Sequence, residues 1–128
     1  MSTFHIFDSR DARYETFRSA GKGFQNVCEW VGPQQGAQYQ AGIAELSHIR
    51  VADYVFAFDD FLFVLEGSIA LTDAEKSETL TPGQAVFIPA GTKVTMDVPE
   101  RLLWIYVAYS DSIHWKDTPN QPGRVEEI

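Results

Sequence analysis

From Phe24 onward, apolar and polar residues change over in short stretches that stop at glycine or proline. That is the pattern of strands, not of helices. Phe24 to Val31 is rich in aromatic and β-branched residues, and Gly32-Pro33-Gln34-Gln35-Gly36 after it is a turn. Strands are then predicted over Tyr39 to Leu46, Tyr54 to Phe58, Phe61 to Glu66, Ile69 to Thr72, Glu78 to Leu80, Ala85 to Ile88, Lys93 to Val98 and Leu102 to Tyr109. Between them lie Gly67-Ser68, the charged turn Asp73 to Ser77 and the tight turn Thr81-Pro82-Gly83. Short strands so spaced predict an all-β sandwich or barrel, one domain with its core over 24–109.

The ends read differently. Ser9 caps a helical turn over Arg10 to Phe17 in one reading, while Phe4 and Ile6 alternate as in a strand. Gly21-Lys22-Gly23 ends this N-terminal arm of residues 1–23. The tail, 110–128, is expected to wrap loosely or fray.

Two strands are apolar on both faces. Phe61, Leu62, Phe63, Val64 and Leu65 form an unbroken run, and Leu102 to Val107 has the same character. A small barrel buries only one face inside, so the other must lie under the N-terminal segment or against a second copy. The expectation is a homodimer.

Composition narrows the function. With 128 residues, 45% of them hydrophobic, the chain can bury a core without metal or disulfide. Cys28 is the only cysteine, so no intramolecular disulfide forms. The polar start, Met1 to Arg10, has no signal-peptide pattern, and no apolar run reaches membrane-helix length. A cytoplasmic protein without a membrane partner is expected. The net charge of −8, with no basic stripe, argues against nucleic acid.

Phe63-Val64-Leu65-Glu66-Gly67 and Gly83…Pro89-Ala90-Gly91 carry the specific signal. They resemble the paired motifs of the cupin superfamily, a strand ending in Val-Leu-Glu-Gly and a glycine, five residues, proline, any residue, glycine. The resemblance implies a cupin β-barrel of jelly-roll type. It places the family's usual ligand positions on or next to Tyr54 and Phe56, on Asp60, and on Val94, so the histidines of a metal site are missing. Within cupins, Ala41 to Leu46 and Phe56-Ala57-Phe58-Asp59-Asp60 before the Val-Leu-Glu-Gly strand resemble the small ethanolamine-utilisation EutQ-like proteins, over roughly Gln38 to Tyr109. That group has been linked with acetate kinase-type chemistry, but no phosphate-binding loop appears here.

The candidate residues follow. Asp60, if it points into the barrel mouth, is desolvated and suited to acid–base work; otherwise it caps a turn beside Asp59. Tyr54 and Phe56 share a strand face and could stack on a planar ligand or simply fill the core. Val94 and Met96 would line the opposite wall. Glu45 interrupts an apolar strand and either faces solvent or points inward, and His48 after it is expected on a loop, free or paired with a carboxylate. Trp104 and Tyr106 share one face, turned to the pocket or to the partner. No metal and no other cofactor is expected, because His5, His48 and His114 have no nearby histidine partners. Cys28 sits in an apolar strand without a basic neighbour, and no nucleophile elbow or dinucleotide fingerprint occurs.

The reading is a small-molecule-binding protein, an enzyme of the lyase or isomerase type doing metal-independent acid–base chemistry on a small polar metabolite. Asp60 is its acid or base, Tyr54 a second donor, and Glu45 and His48 are auxiliary. The alternatives are a non-catalytic ligand-binding or accessory protein of a catabolic pathway, and a metal-dependent oxygenase with unusual ligands.

Overall fold

A computed structural model describes residues 3–109 and 123–128. Its strands are β1 (Glu15–Ala20), β2 (Gly23–Val31), β3 (Tyr39–Val55), β4 (Asp59–Gly67), β5 (Ile69–Thr72), β6 (Ser77–Leu80), β7 (Ala85–Ile88), β8 (Lys93–Tyr109) and β9 (Arg124–Glu127). All pairings are antiparallel.

The two longest strands make the architecture. The first half of β3 lies between β2 and the second half of β8, and β8 in turn pairs with β4, which pairs with β7. The second half of β3 lies between β9 and the first half of β8, which pairs with β5 and so with β6. Each long strand therefore passes from one layer to the other, as in a jelly roll. The passage is made at register breaks. The β3–β8 pairing shifts between Ser47 and Ile49 and again between Val51 and Tyr54. His48 (φ 50°) and Asp53 (φ 56°) take left-handed conformations there. Pro99, which has no N–H for a ladder, falls at the first break.

Sequence reading ended a strand at Leu46 and put His48 on a loop. The chain instead bends through a bulge and stays paired to Val55, because β8 and β9 offer ladder partners that local sequence does not reveal. Around the sheet the ladder is open, for among the described residues β6 and β7 do not pair. The all-β cupin fold is as expected, with an open sheet in place of a closed barrel.

Between the layers lie Leu46, Ile49, Val64, Ile69, Val98 and Leu102, each essentially fully buried. Burying one such side chain is worth about 1.5–3 kcal/mol. The outer face of the β2–β3–β8–β4 layer is partly covered. Cys28, Ile43 and Leu103 form a second cluster under Ala12, Tyr14, Trp30 and Leu65, with Phe7 stacked on Trp30 at 5.6 Å. Further along that face Phe61, Phe87, Val107, Tyr109 and Tyr39 stay exposed.

At the N-terminus, Ser9–Asp11 is a single 3-10 turn, capped by the Asp8 carboxylate accepting from the Arg10 N–H and not by Ser9. Phe4 and Ile6 are exposed and outside any strand, and β1 takes the place expected for a helical turn. Of the tail, 110–122 lies outside the described residues. Arg124–Glu127 does not fray but pairs with β3, and Glu127 accepts from the Lys22 N–H at 3.0 Å.

Candidate active site

Alternation along β3, β4 and β8 decides what faces inward. Asp60, Leu62 and Val64 of β4 are buried while Asp59 and Phe61 are exposed. Leu102, Trp104, Tyr106 and Ala108 are the residues of β8's second half that join the main core, while Leu103 is buried in the outer cluster. Trp104 and Tyr106 thus turn to the interior, which settles a parity the sequence left open.

These strands enclose a cavity of about 80 Å³. Six of the expected site residues line it, Tyr54, Phe56, Asp60, Met96, Trp104 and Tyr106, joined by Phe58, Leu62, Val27, Ala44 and Ala108. The Tyr54 and Phe56 rings meet edge to face at 4.9 Å. Phe56 is fixed by its backbone, which accepts from the Gly91 N–H and donates to the Thr92 carbonyl.

The turn-capping contact that was one of the two readings of Asp60 is made by its neighbour instead. Asp59 Oδ1 accepts from the Ala90 N–H at 2.8 Å and so holds the Pro89-Ala90-Gly91 corner. Asp60 is 9% exposed and, among the described residues, has no hydrogen-bond or ion-pair partner. Burial, with a smaller push from the Asp59 charge, raises its pKa to about 7. Tyr106 lies diagonally across, since Leu62 pairs with Tyr106 and Asp60 with Ala108. Its hydroxyl is buried and, among the described residues, has no hydrogen-bond partner. Burial first, then the Glu29, Cys28 and Asp60 charges, push its pKa up, so it stays a phenol. Gly42 makes room for it, because a Cβ there would stand 2.8 Å from the Tyr106 oxygen.

Three expected residues are elsewhere. Glu45 is on the outer face, where it accepts from Arg101 at 2.7 Å, and Arg101 also reaches Glu66 at 3.3 Å. His48 is exposed at the β3 bulge, its Nδ1 2.7 Å from Ser47 Oγ. The auxiliary roles expected of these two do not fit, because the period of two turns Glu45 outward and the bulge carries His48 out. Val94 is buried opposite Tyr54, but it lines a separate cleft of about 370 Å³ bounded by β5, β6 and β7.

The hairpin β1–β2 supplies what sequence reading missed. Phe17, Arg18 and Gln25 line the cavity on that side. The β1–β2 register slips between Thr16 and Arg18, so Phe17 and Arg18 both face it in place of alternating. The Arg18 guanidinium lies 4.3 Å from the Phe17 ring centre and 4.4 Å from that of Tyr54, and donates to Gln25 Oε1 at 2.8 Å. No local sequence signal announces this bulge.

A transition metal, which many cupins hold, does not fit these donors. Among the described residues no three His, Cys, Asp or Glu side chains converge. The cavity offers one carboxyl, two phenols and the Gln25 amide.

Comparison with known proteins decides the family. The family model for ethanolamine utilisation protein EutQ matches residues 11–117. The chain belongs to the EutQ family. The acetate kinase EutQ of Clostridioides difficile (strain 630) is 28% identical over 57 residues, 44% of this chain and 36% of that protein. The chain therefore spans well under two thirds of this curated EutQ relative. Among solved structures, a putative ethanolamine utilisation protein Q of Salmonella typhimurium LT2 superposes with a TM-score of 0.71 at 21% identity, covering 81% of this chain and 84% of the other. The Clostridium difficile EutQ protein gives 0.67 at 19%, with 84% and 83% covered. The polyketide cyclase RemF of Streptomyces resistomycificus gives 0.72 at 20%, with 98% and 86% covered. At these identities the likeness is one of fold. Most of the EutQ match therefore coincides with the jelly roll and its interior.

Proposed function

We propose that this EutQ-family chain is an acid–base enzyme acting on a small carbonyl compound held in the interior cavity, without a metal. One observation carries the reading: a buried carboxyl with a pKa near 7 lies in the same apolar cavity as a buried phenol, both without a hydrogen-bond partner among the described residues. A general base is most effective when its pKa lies near the working pH. Asp60 in its ionised form takes a proton from the carbon beside the carbonyl. The C–H pair becomes the new carbon–carbon π bond, and the carbonyl π pair moves to oxygen. The Tyr106 phenol donates a hydrogen bond to that oxygen as its charge develops. Returning the proton at another carbon gives isomerisation, and loss of a β-substituent gives elimination or dehydration. Tyr54 and Phe56 then supply the wall against which the substrate lies.

The test is proton exchange. Butan-2-one in D2O, followed by ¹H NMR, is expected to lose its α-proton signals faster with protein than without, with an inflection near pH 7. Asp60→Asn is expected to lower this rate about 10²–10⁴-fold. Exchange that persists in Asp60→Asn would remove Asp60 as the base, and exchange that never exceeds the protein-free rate would move the chain to the ligand-binding class.

A second reading comes from the relative described as an acetate kinase. Phosphoryl transfer calls for several cationic or backbone N–H groups around the phosphates. Among the described residues the cavity is lined by a single cation, Arg18, which favours proton transfer.

We also propose a homodimer through the exposed part of the outer face. Phe61 pairs with Phe87 on one side and Val107 on the other, and Tyr109 with Tyr39, so the exposed apolar side chains lie contiguously across four strands. The N-terminal arm covers the neighbouring cluster and leaves these residues open.

A further inference from the structure

We infer that the substrate is a short oxo acid, its carboxylate held by Arg18 at the rim and its carbonyl end inside the cavity. The inference rests on the interior cavity being the reacting site and adds the class of molecule it takes.

The first ground is charge. The chain carries a net charge of −8 and repels anions in general. Arg18 is the single cation lining the cavity among the described residues. Among the described residues it forms no ion pair, spending one N–H on Gln25 and lying over the Phe17 and Tyr54 rings. A guanidinium held over aromatic rings keeps its remaining donors ordered, and its fork matches a carboxylate.

The second ground is the backbone. The β1–β2 bulge is what turns Arg18 and Phe17 to the same side. A bulge gives up ladder pairing, and bulges commonly re-aim a side chain beside a site. A regular strand would have sent one of the two outward.

The third ground is separation and size. Arg18 is on β1 and Asp60 on β4, with β2, β3 and β8 between them in the sheet, so the guanidinium and the carboxyl approach the cavity from different sides. The space of about 80 Å³ is roughly half of a cavity known to hold benzene, and so encloses about three or four heavy atoms. An acetyl group fills it. The rest of the molecule must extend to the rim, where the cation is.

The experiment compares 4-oxopentanoate with its methyl ester, which differ in charge but present the same acetyl end. Binding is measured by calorimetry or ligand-observed NMR. The acid is expected to bind about tenfold tighter than the ester, the size of one charge-assisted pair. In Arg18→Gln the acid-to-ester ratio is expected to fall to about one, and Arg18→Lys should retain part of it. An arginine that merely braces the hairpin would weaken acid and ester alike and leave the ratio intact. A ratio near one in the unaltered chain, no binding of the acid, or a ratio unchanged in Arg18→Gln overturns the inference. The two readings fail separately. Absent α-proton exchange with the ratio intact removes the acid–base reading alone, while exchange of butan-2-one with a ratio of one removes the oxo acid alone.

Discussion

Asp59 and Asp60 are chemically identical neighbours, and their difference is entirely one of direction. Asp59 accepts a backbone N–H at the surface, while Asp60 is turned into an apolar cavity where its charge is poorly solvated. Opposite consequences follow for stability. The folded-state pKa of Asp60, about 7, is above the ordinary 3.8. Between those values the folded chain holds a proton that the unfolded chain has released. Stability from this group is therefore greatest below about pH 4, falls as pH rises to about 7, and is level beyond, a change on the order of 4 kcal/mol at most. Urea unfolding across pH 4 to 8 should show this fall in the unaltered chain, and the difference from Asp60→Asn should shrink and then reverse in the variant's favour. A difference that stays flat with pH would show Asp60 ionised in the fold throughout. Asp59→Ala, by contrast, should cost about 0.5–2 kcal/mol at neutral pH through the lost bond to Ala90. The sequence marked this pair as the place to look. It named Asp60 but left open whether that side chain faces inward or caps a turn, because one residue of register would exchange the two aspartates.

Among the strands, the β4–β5 corner and the β6–β7 turn show how a glycine is required for different reasons. Gly67 has φ 76° and sits against β8, where an added Cβ would stand 1.9 Å from the Arg101 carbonyl oxygen. Gly83 has φ 90° but nothing within 4 Å. Ala at Gly83 should therefore cost only the left-handed backbone penalty, about 1–2 kcal/mol. Ala at Gly67 should cost more, because the β4 corner must move off β8 as well. Chemical denaturation of both variants checks the order, and equal losses would show that the corner yields freely. Both turns were legible as glycine positions. The bends of β3 and β8 were not. Local sequence suggests breaks near Leu46 and Val98, and only the pairing of each half with a different neighbour shows that the strands run on through a bulge. The same limit hid Arg18, whose direction depends on a register slip against β2.

At the level of the whole molecule, the open question is the outer face. The sequence offered two covers for it, an arm or a second copy. The arm's Ala12 and Tyr14 pack on one part, and Phe61 (49% exposed) and Phe87 (59% exposed) remain on the other. Light scattering at micromolar concentration is expected to give twice the chain mass of 14.4 kDa. Phe61→Asp, at a position already half in solvent, should shift this toward the single-chain mass while the fold survives. A single-chain mass for the unaltered protein would mean that the exposed aromatics have another use.

The amino-acid sequence by itself determined the kind of fold and the neighbourhood of the site. Strand alternation and turn glycines depend on residues a few positions apart, so they can be read along the chain. The resemblance to the cupin motifs, together with alternation along the strands, pointed to Tyr54, Phe56, Asp60, Met96, Trp104 and Tyr106, which line one cavity. Tertiary structure alone decided the rest: that Glu45 pairs with Arg101 outside, that His48 rides an exposed bulge, and that a hairpin far away in sequence brings Arg18 to the rim. Direction in a sheet is fixed by register with a partner strand, and register is set by contacts between residues distant in the chain.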